Sequence, residues 1–153
     1  MNEKDERPAR IVVGVDGSPP SRAALAWATR YAEATGATVD AVIAWQYPVG
    51  YGWPAPGLQA FDFEDNARQA LADAVSETGA GAPRVQIRQH VVQGHPATAL
   101  LESADGAHLL VVGNRGHGGF TGALLGSVSL HCVHHAHCPV VVVRGETGSR
   151  PES

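Results

Sequence analysis

A glycine-rich segment runs from Gly113 to Gly126 and is followed by Ser127 and, two residues later, by Ser129. Glycine has no Cβ, so the backbone of such a segment can approach a ligand closely and can adopt positive φ angles. The serines are expected to begin a helix, and the first N–H groups of a helix are unpaired and attract anions. Arg115 is the one cation in the segment and could lie over phosphate oxygens. The pattern therefore indicates a phosphate-binding site.

The spacing of these glycines differs from that of the common phosphate-binding loops. A Walker A loop ends in Lys followed by Ser or Thr, but Lys4 is the only lysine of the chain. A Rossmann fingerprint follows the first strand, where Gly14 and Gly17 lack its spacing. Kinase-type loop and base residues are also missing. The alternative to a phosphate site is a surface loop whose serine only caps the next helix.

Short β-branched segments alternate with longer segments rich in Ala and Leu along the chain. This alternation is typical of an α/β protein with a parallel sheet covered by helices on both faces. The predicted strands cover residues 11–15, 38–45, 84–92, 109–113 and 139–144. The predicted helices cover residues 20–35, about 58–78, 96–104 and 127–137. Local residue chemistry places two helix starts and one helix end at Ser18, Pro96 and Gly36.

The order of the strands in this sheet follows from the handedness of its connections. Right-handed crossovers that cover both faces require the chain to reverse its direction of growth. We expect an open five-stranded sheet in the order 3-2-1-4-5, with the reversal between strands 1 and 4. Ligands of open sheets bind in the crevice outside the carboxyl ends of the strands at that point, which Asp16 and Gly113 border here. A carboxylate there could accept from a ribose hydroxyl or a base amine, or bind Mg²⁺ through water. An Asp before Gly-Ser is, however, also a common turn residue.

A longer pattern, G-x2-G-x9-G-[ST], is satisfied at every position by Gly113, Gly116, Gly126 and Ser127. The segments IVVGVDGS, VIAW, GHPATALLE and HHAHCPVVVVR extend the similarity over nearly the whole chain. On these segments the chain resembles the universal stress protein family, in its ATP-binding branch. The resemblance implies a Rossmann-like fold of the adenine nucleotide alpha hydrolase type, with ATP and Mg²⁺ as the bound groups.

The resemblance also implies roles for individual residues. The base and ribose would contact the ends of strands 1 and 2, at Val15, Asp16 and, through its backbone, Ala44. The ribose and phosphates would face the first two motif glycines, Gly113 and Gly116. The β- and γ-phosphates would be held at the start of the following helix by Gly126, Ser127, Val128 and Ser129.

These features predict a nucleotide-dependent stress or signalling module with at most weak ATPase activity. Hydrolysis needs a positioned water, a base and charge stabilisation on the transferred group. Asp16, Arg115 and His117 are candidates, but their positions in the sequence do not require such an arrangement, so no catalytic residue is assigned. Two alternatives remain open: a slow ATP hydrolase that uses the same pocket, and an interaction protein without a nucleotide.

The segment 46–57 is rich in Gly, Pro and aromatic residues, which predicts a long loop after strand 2. Four aromatic side chains lie in or next to it: Trp45, Tyr47, Tyr51 and Trp53. They fit three roles equally, namely a lid that stacks on adenine, an interaction surface, or ordinary loop packing.

Histidine and cysteine are concentrated between His131 and Cys138. On a helix, His131 and His135 would share a face and could supply half of a metal site. His134 and Cys138 would do the same only if the helix continued, and Pro139 predicts that it ends first. We therefore predict no metal site here and a role for part of the segment at a dimer interface.

The composition indicates one domain, expected at residues 10–145, between flexible tails at 1–9 and 146–153. A net charge of −4 and a single lysine disfavour a nucleic-acid partner, which requires clustered cations. No apolar run approaches the roughly 20 residues of a membrane span. Two cysteines, of which Cys132 is expected to be buried, and no evident secretory signal predict a cytoplasmic protein.

The last predicted strand, 139–144, would expose an apolar edge in a monomer, and such edges favour aggregation. A second copy paired on this strand would cover the edge. The family resemblance implies a homodimer of this kind, in which the two last strands meet antiparallel.

Overall fold

The computed structural model describes residues 8–47, 60–115 and 125–145. Strands and helices alternate along these residues as predicted. The elements are β1 (Arg10–Gly14), α1 (Pro19–Thr35), β2 (Thr38–Trp45), α2 (Ala60–Gly79), β3 (Ile87–Gln93), α3 (Pro96–Ser103), β4 (Leu109–Gly113), α4 (Ser127–His135) and β5 (Val140–Val143). None of the helices in the described residues is both long and apolar enough to cross a membrane.

Several of the predicted elements are shorter in the structure: β5 covers Val140–Val143 rather than 139–144, and α3 ends at Ser103 rather than at 104. For two others the cause is visible. β3 begins at Ile87 rather than at residue 84, because the preceding residues form a turn in which the Val85 N–H donates to the Ala82 carbonyl at 3.1 Å. α4 ends at His135 rather than at residue 137, because Ala136 leaves the helical conformation with φ −70° and ψ 149°.

The five strands form one parallel sheet in the order β3-β2-β1-β4-β5, which confirms the predicted topology. β1 lies at the centre, where Val13 is in register with Ala41 of β2 and with Val111 of β4. β3 and β5 are the edge strands of the described sheet. The chain leaves β1 toward β2 and leaves β4 toward β5, so the loops after these neighbouring strands diverge and open a crevice between them.

Both faces of the sheet are apolar and each has its own core. On one face, α1 and α2 cover a cluster that includes Val13, Leu25 and Leu71, all fully buried. On the other face, α3 and α4 cover a smaller cluster around Val12 and Leu110. Burial on both sides explains why the inner strands are largely apolar runs rather than alternating apolar and polar residues, whereas the edge strand β3 carries exposed polar residues.

Several helix bounds follow the predicted residue chemistry. The Ser18 hydroxyl caps α1 by accepting from the Ser21 N–H at 3.3 Å, and Gly36 ends the helix in the left-handed region with φ 81°. Pro96 is the first residue of α3. The cap of that helix was not predicted: the Nδ1 atom of His95 accepts from a backbone N–H two residues later at 3.2 Å.

A buried carboxylate, Asp40, interrupts the apolar strand β2 near the amino-terminal edge of the sheet. Its Oδ2 accepts from Arg10 Nη1 at 3.1 Å, and its Oδ1 accepts from Arg88 Nε at 2.8 Å and lies 3.2 Å from His90 Nε2. Burial raises the pKa of Asp40, but the hydrogen bonds from these three side chains outweigh it and leave that pKa below 3.8. The cluster joins β1, β2 and β3 through one charge, as buried charges require partners.

Candidate functional site

A cavity of about 580 Å³ lies at the carboxyl ends of β1, β2 and β4. This is the crevice predicted from the strand order. Nine of the ten residues predicted for the site line it: Val15, Asp16, Ala44, Gly113, Arg115, Gly126, Ser127, Val128 and Ser129. The tenth, Gly116, lies outside the described residues. Segments far apart in the sequence therefore meet in one cleft.

The start of α4 presents backbone donors to this cleft. Gly126 is the N-cap, and no side chain caps the helix. The first helical hydrogen bond runs from the Leu130 N–H to the Gly126 carbonyl at 2.9 Å. Within the described ranges, no acceptor is bonded to the N–H groups of Ser127, Val128 and Ser129. Three donors at the positive end of a helix are a site for an anion.

Two hydrogen-bond donors at this helix start, the Gly126 N–H and the Ser129 hydroxyl, form hydrogen bonds within the protein. The Gly126 N–H donates to the Asn114 carbonyl at 2.7 Å. The Ser129 side chain is buried, and its hydroxyl lies 3.1 Å from the same carbonyl and 3.3 Å from that of Gly126. The Ser129 hydroxyl, which has one proton, is therefore already paired within the protein, whereas Ser127 is exposed.

One motif glycine, Gly113, has a structural role in addition to the predicted ligand contact. Gly113 and Gly126 do not have positive φ angles. A Cβ on Gly113 would lie 2.7 Å from the carbonyl carbon of Pro20 and 2.8 Å from its oxygen. A Cβ on Gly145 would lie 2.8 Å from the Cα of the same proline. Gly113 is therefore required by the close approach of α1, whatever it contacts in the cleft.

Asp16 acts as a turn residue, which the sequence analysis gave as the alternative to its binding a ligand. Its Oδ1 accepts from the Ser18 N–H at 2.9 Å and also from the Ser18 hydroxyl, while Gly17 has φ 83°. Asp16 is nevertheless exposed and lines the cavity. Its second oxygen, Oδ2, is not hydrogen-bonded to any of the residues that the structure describes, so the turn leaves one carboxylate oxygen available.

Ala44 lies in β2 beyond the point where the neighbouring strand β1 ends. The ladder between β1 and β2 ends where the Val15 N–H donates to the Val42 carbonyl at 2.9 Å. Backbone groups of a strand alternate between its two sides, so the N–H and C=O of Ala44 point to the same side as those of Val42. No described residue pairs with them there. This is the arrangement needed to bind the edge of a planar base.

The cleft combines one cation with mostly apolar walls. Arg115 is half-buried in it, and no carboxylate of the described residues lies within ion-pair distance of the guanidinium. Residues that were not predicted complete the walls: Val42 from β2, Pro96 and Leu100 from α3, and Leu125. The segment GHPATALLE had carried the family resemblance, but no residue pattern in it indicates that α3 faces the cleft.

A model of the universal stress protein family matches residues 9–144. The chain belongs to this family. A universal stress protein of Mycobacterium tuberculosis is 38% identical over 140 residues, which is 92% of this chain and 47% of that protein. The chain spans about half the length of the curated relatives that it matches.

Solved universal stress proteins share the fold. The protein UspA from Lactobacillus plantarum aligns with a TM-score of 0.76 at 23% identity, over 92% of this chain and 100% of that one. A universal stress protein in complex with cAMP aligns with a TM-score of 0.71 at 29% identity, over 90% of this chain and 98% of that one. These similarities confirm the predicted family and fold.

In this universal stress protein, the aromatic residues near β2 that the structure describes do not line the cleft. Tyr47 packs edge-on against Trp45 and against Phe63 of α2, with ring centroids 5.8 and 5.5 Å apart. Trp45 and Tyr47 are thus packed against each other and against α2, while Tyr47 stays 39% exposed, so the three roles considered for this aromatic segment stay open. Tyr51 and Trp53 lie outside the described residues.

The segment rich in cysteine and histidine, residues 131–138, agrees in part with the predictions made from the sequence. Cys132 is fully buried, as predicted, and burial raises the pKa of its thiol to about 11. Because α4 ends at His135, His134 and Cys138 do not share a helical face. Among the residues that the structure describes, no group of three or more metal-ligating side chains is placed to hold an ion.

Proposed function

We propose that this chain binds ATP with Mg²⁺ in the cleft between β1 and β4 and acts as a nucleotide-dependent stress or signalling module. The observation that carries the proposal is the row of unpaired N–H groups at the start of α4, beside Arg115, in a cavity of about 580 Å³. Ligand pockets for molecules of this size measure about 300–1,000 Å³. The family member solved with cAMP supports an adenine nucleotide as the ligand.

Each part of the nucleotide has a matching part of the cleft. The terminal phosphates would accept from the N–H groups of residues 127–129 and from the Ser127 hydroxyl, with Arg115 adding a charge-assisted contact. The free oxygen of Asp16 would accept from the ribose or hold Mg²⁺ through water. The backbone of Ala44 would pair with the adenine edge, and the apolar wall formed by Val15 and Leu100 would cover its face.

The role of the phosphate contacts is tested by calorimetric titration of the purified chain with Mg-ATP. We expect Ser127→Ala to weaken binding by about two- to tenfold, because one neutral hydrogen bond contributes about 0.5–1.5 kcal/mol. Arg115→Gln should weaken it by about tenfold or more, because hydrogen bonds to charged groups are stronger. Ser76→Ala and Arg84→Gln make the same chemical changes at exposed positions outside the cleft.

The controls should bind like the unmodified chain. The proposal is rejected if the unmodified chain does not bind ATP, or if the control variants lose as much affinity as the cleft variants. Mass spectrometry of small molecules released from freshly purified, denatured protein would identify the nucleotide without assuming it.

A binding role with little turnover is favoured over a hydrolase. Among the described residues that line the cleft, Asp16 is the one carboxylate, and one of its oxygens is held by the turn at Ser18. Rapid hydrolysis needs a base and a positioned water, and no second carboxylate among these lining residues is available to act as the base. Multiple turnovers of ATP per minute would contradict this part of the proposal.

A homodimer through residues 139–144 and a cytoplasmic location belong to the same proposal. β5 is an edge strand with four half-buried valines, and Leu130 and Val133 of the preceding α4 are 46% and 44% exposed. Such an apolar edge favours pairing with another strand. Light scattering should give about twice the mass of one chain, and a monomer at micromolar concentration would contradict it.

A further inference from the structure

His131 and His135 form a pair of imidazole rings on the surface of α4. They are one helical turn apart, with ring centroids separated by 4.4 Å and ring planes tilted by 36°. Both side chains are exposed, and neither lines the nucleotide cleft. Nothing in the described part of the chain forms a hydrogen bond or an ion pair with either ring, so the proposed nucleotide site gives them no role.

The separation of the two rings is that of imidazoles bound to one metal ion. At a metal–nitrogen distance of about 2.0–2.1 Å, the centre of a ring lies about 3.2 Å from the ion. Two such rings at 90° have centres about 4.5 Å apart, and at the tetrahedral angle about 5.2 Å. The observed 4.4 Å matches the right-angle arrangement, which is the geometry that Cu(II) and Ni(II) prefer.

The position of the pair on the helix also favours a cation. His135 is the last residue of α4, and the carboxyl end of a helix carries a partial negative charge. Two histidines four residues apart also form the helical part of known zinc sites such as H-E-x-x-H. His134 directly precedes His135 in the helix, so its side chain leaves the helix about 100° around the axis from that of His135, and their ring centroids are 6.4 Å apart.

We propose that His131 and His135 form a two-imidazole site for a divalent transition-metal ion of the Cu(II) or Ni(II) type. Water molecules would complete the coordination, since the described residues offer no third ligating side chain nearby. The prediction of no metal from the sequence rested on the loss of a second pair at His134 and Cys138. That pair is indeed lost, but a site of two imidazoles does not need it.

The proposal is tested by calorimetric titration of the whole chain with NiCl₂ at neutral pH. We expect one ion per chain. His131→Asn and His135→Asn should each weaken binding by about tenfold or more, because the second ligand of a chelating pair acts at high effective concentration. His134→Asn and His137→Asn remove exposed imidazoles from the same segment and should leave the affinity unchanged. Bound Ni(II) should also raise the thermal midpoint of the unmodified chain but not that of the double variant at 131 and 135.

Electron paramagnetic resonance with one equivalent of Cu(II) identifies the ligands directly. Two coordinated imidazole nitrogens are expected in the unmodified chain and one in each single variant. The proposal is overturned by no Ni(II) binding, by equal losses in the His134 and His137 controls, or by unchanged affinity in the double variant. The nucleotide titration is independent of these results, so the two proposals fail separately.

Discussion

Alanine at position 113 would place a Cβ 2.7 Å from the carbonyl carbon of Pro20 and 2.8 Å from its oxygen and its Cβ. Ordinary contacts of a Cβ lie at 3.4–4 Å, so these atoms must separate by roughly 0.7 Å. Two of the three are backbone atoms in the first turn of α1, which cannot move away by changing a rotamer. The substitution must displace either the end of β4 or the start of the helix.

Overpacking of this kind costs about 1–3 kcal/mol of folding free energy. Gly113 has no positive φ angle, so alanine can adopt its backbone conformation. Alanine also lowers the conformational entropy of the unfolded chain, which stabilises the folded state by about 0.5–1 kcal/mol. The net loss for Gly113→Ala is then about 1–2 kcal/mol. Gly79→Ala is the matched control, because its Cβ would meet only Ile87 Cδ1 at 3.8 Å at the end of α2, and we expect it to be neutral or stabilising.

Urea unfolding followed by circular dichroism, without nucleotide, measures both variants. A loss for Gly113→Ala in the absence of ligand shows that the glycine is required by the approach of α1. The reasoning is refuted if Gly113→Ala unfolds within about 0.5 kcal/mol of the unmodified chain while its ATP affinity falls. That outcome would restore the glycine to a role in ligand contact alone.

Three further predictions follow from buried polar and thiol groups. Ser129→Ala should destabilise the chain by about 1 kcal/mol, because it leaves the Asn114 carbonyl without one of its donors, and urea unfolding should detect this without ATP. Asp40 has a pKa below its ordinary 3.8 in the folded state, so near pH 4 the unfolded chain binds more protons. The contribution of Asp40 to the free energy of unfolding is therefore complete above that pH and is lost as the pH falls through the lower pKa of the folded state. Between pH 5 and 3 the free energy of unfolding of Asp40→Asn should change less with pH than that of the unmodified chain. Equal pH dependence of the two chains would contradict this. Cys132 is fully buried with a pKa of about 11, so a thiol reagent at pH 8 should label the native chain at Cys138 before Cys132, and label both only after unfolding.

The fold was predictable because its signals are local and repeated. Five β-branched runs alternate with helical segments, and Ser18, Gly36 and Pro96 mark bounds through their own backbone chemistry. Topological rules then supplied the strand order and the position of the cleft. These steps need no knowledge of which side chains meet across the sheet.

What could not be predicted depends on contacts between distant segments. The partners of Asp40 come from β1 and β3, and only the register of three strands brings Arg10 and Arg88 to it. Whether Ser129 offers its proton to a ligand depends on the position of the Asn114 carbonyl. The reason for Gly113 lies in Pro20, 93 residues earlier in the sequence.

Pro20 lies against two glycines at the ends of different strands, Gly113 as the last residue of β4 and Gly145 just after β5. Pro20 thus links the edge of the proposed nucleotide cleft to the point where the chain leaves the sheet. Substitutions at 113 and 145 should be energetically coupled through Pro20. A smaller residue at 20 would not by itself make room for alanine at either glycine, because two of the three nearest atoms at each belong to the backbone of Pro20. A ligand that shifts the first turn of α1 would therefore also displace Gly145, so occupation of the cleft and the exit of the chain from β5 are mechanically linked.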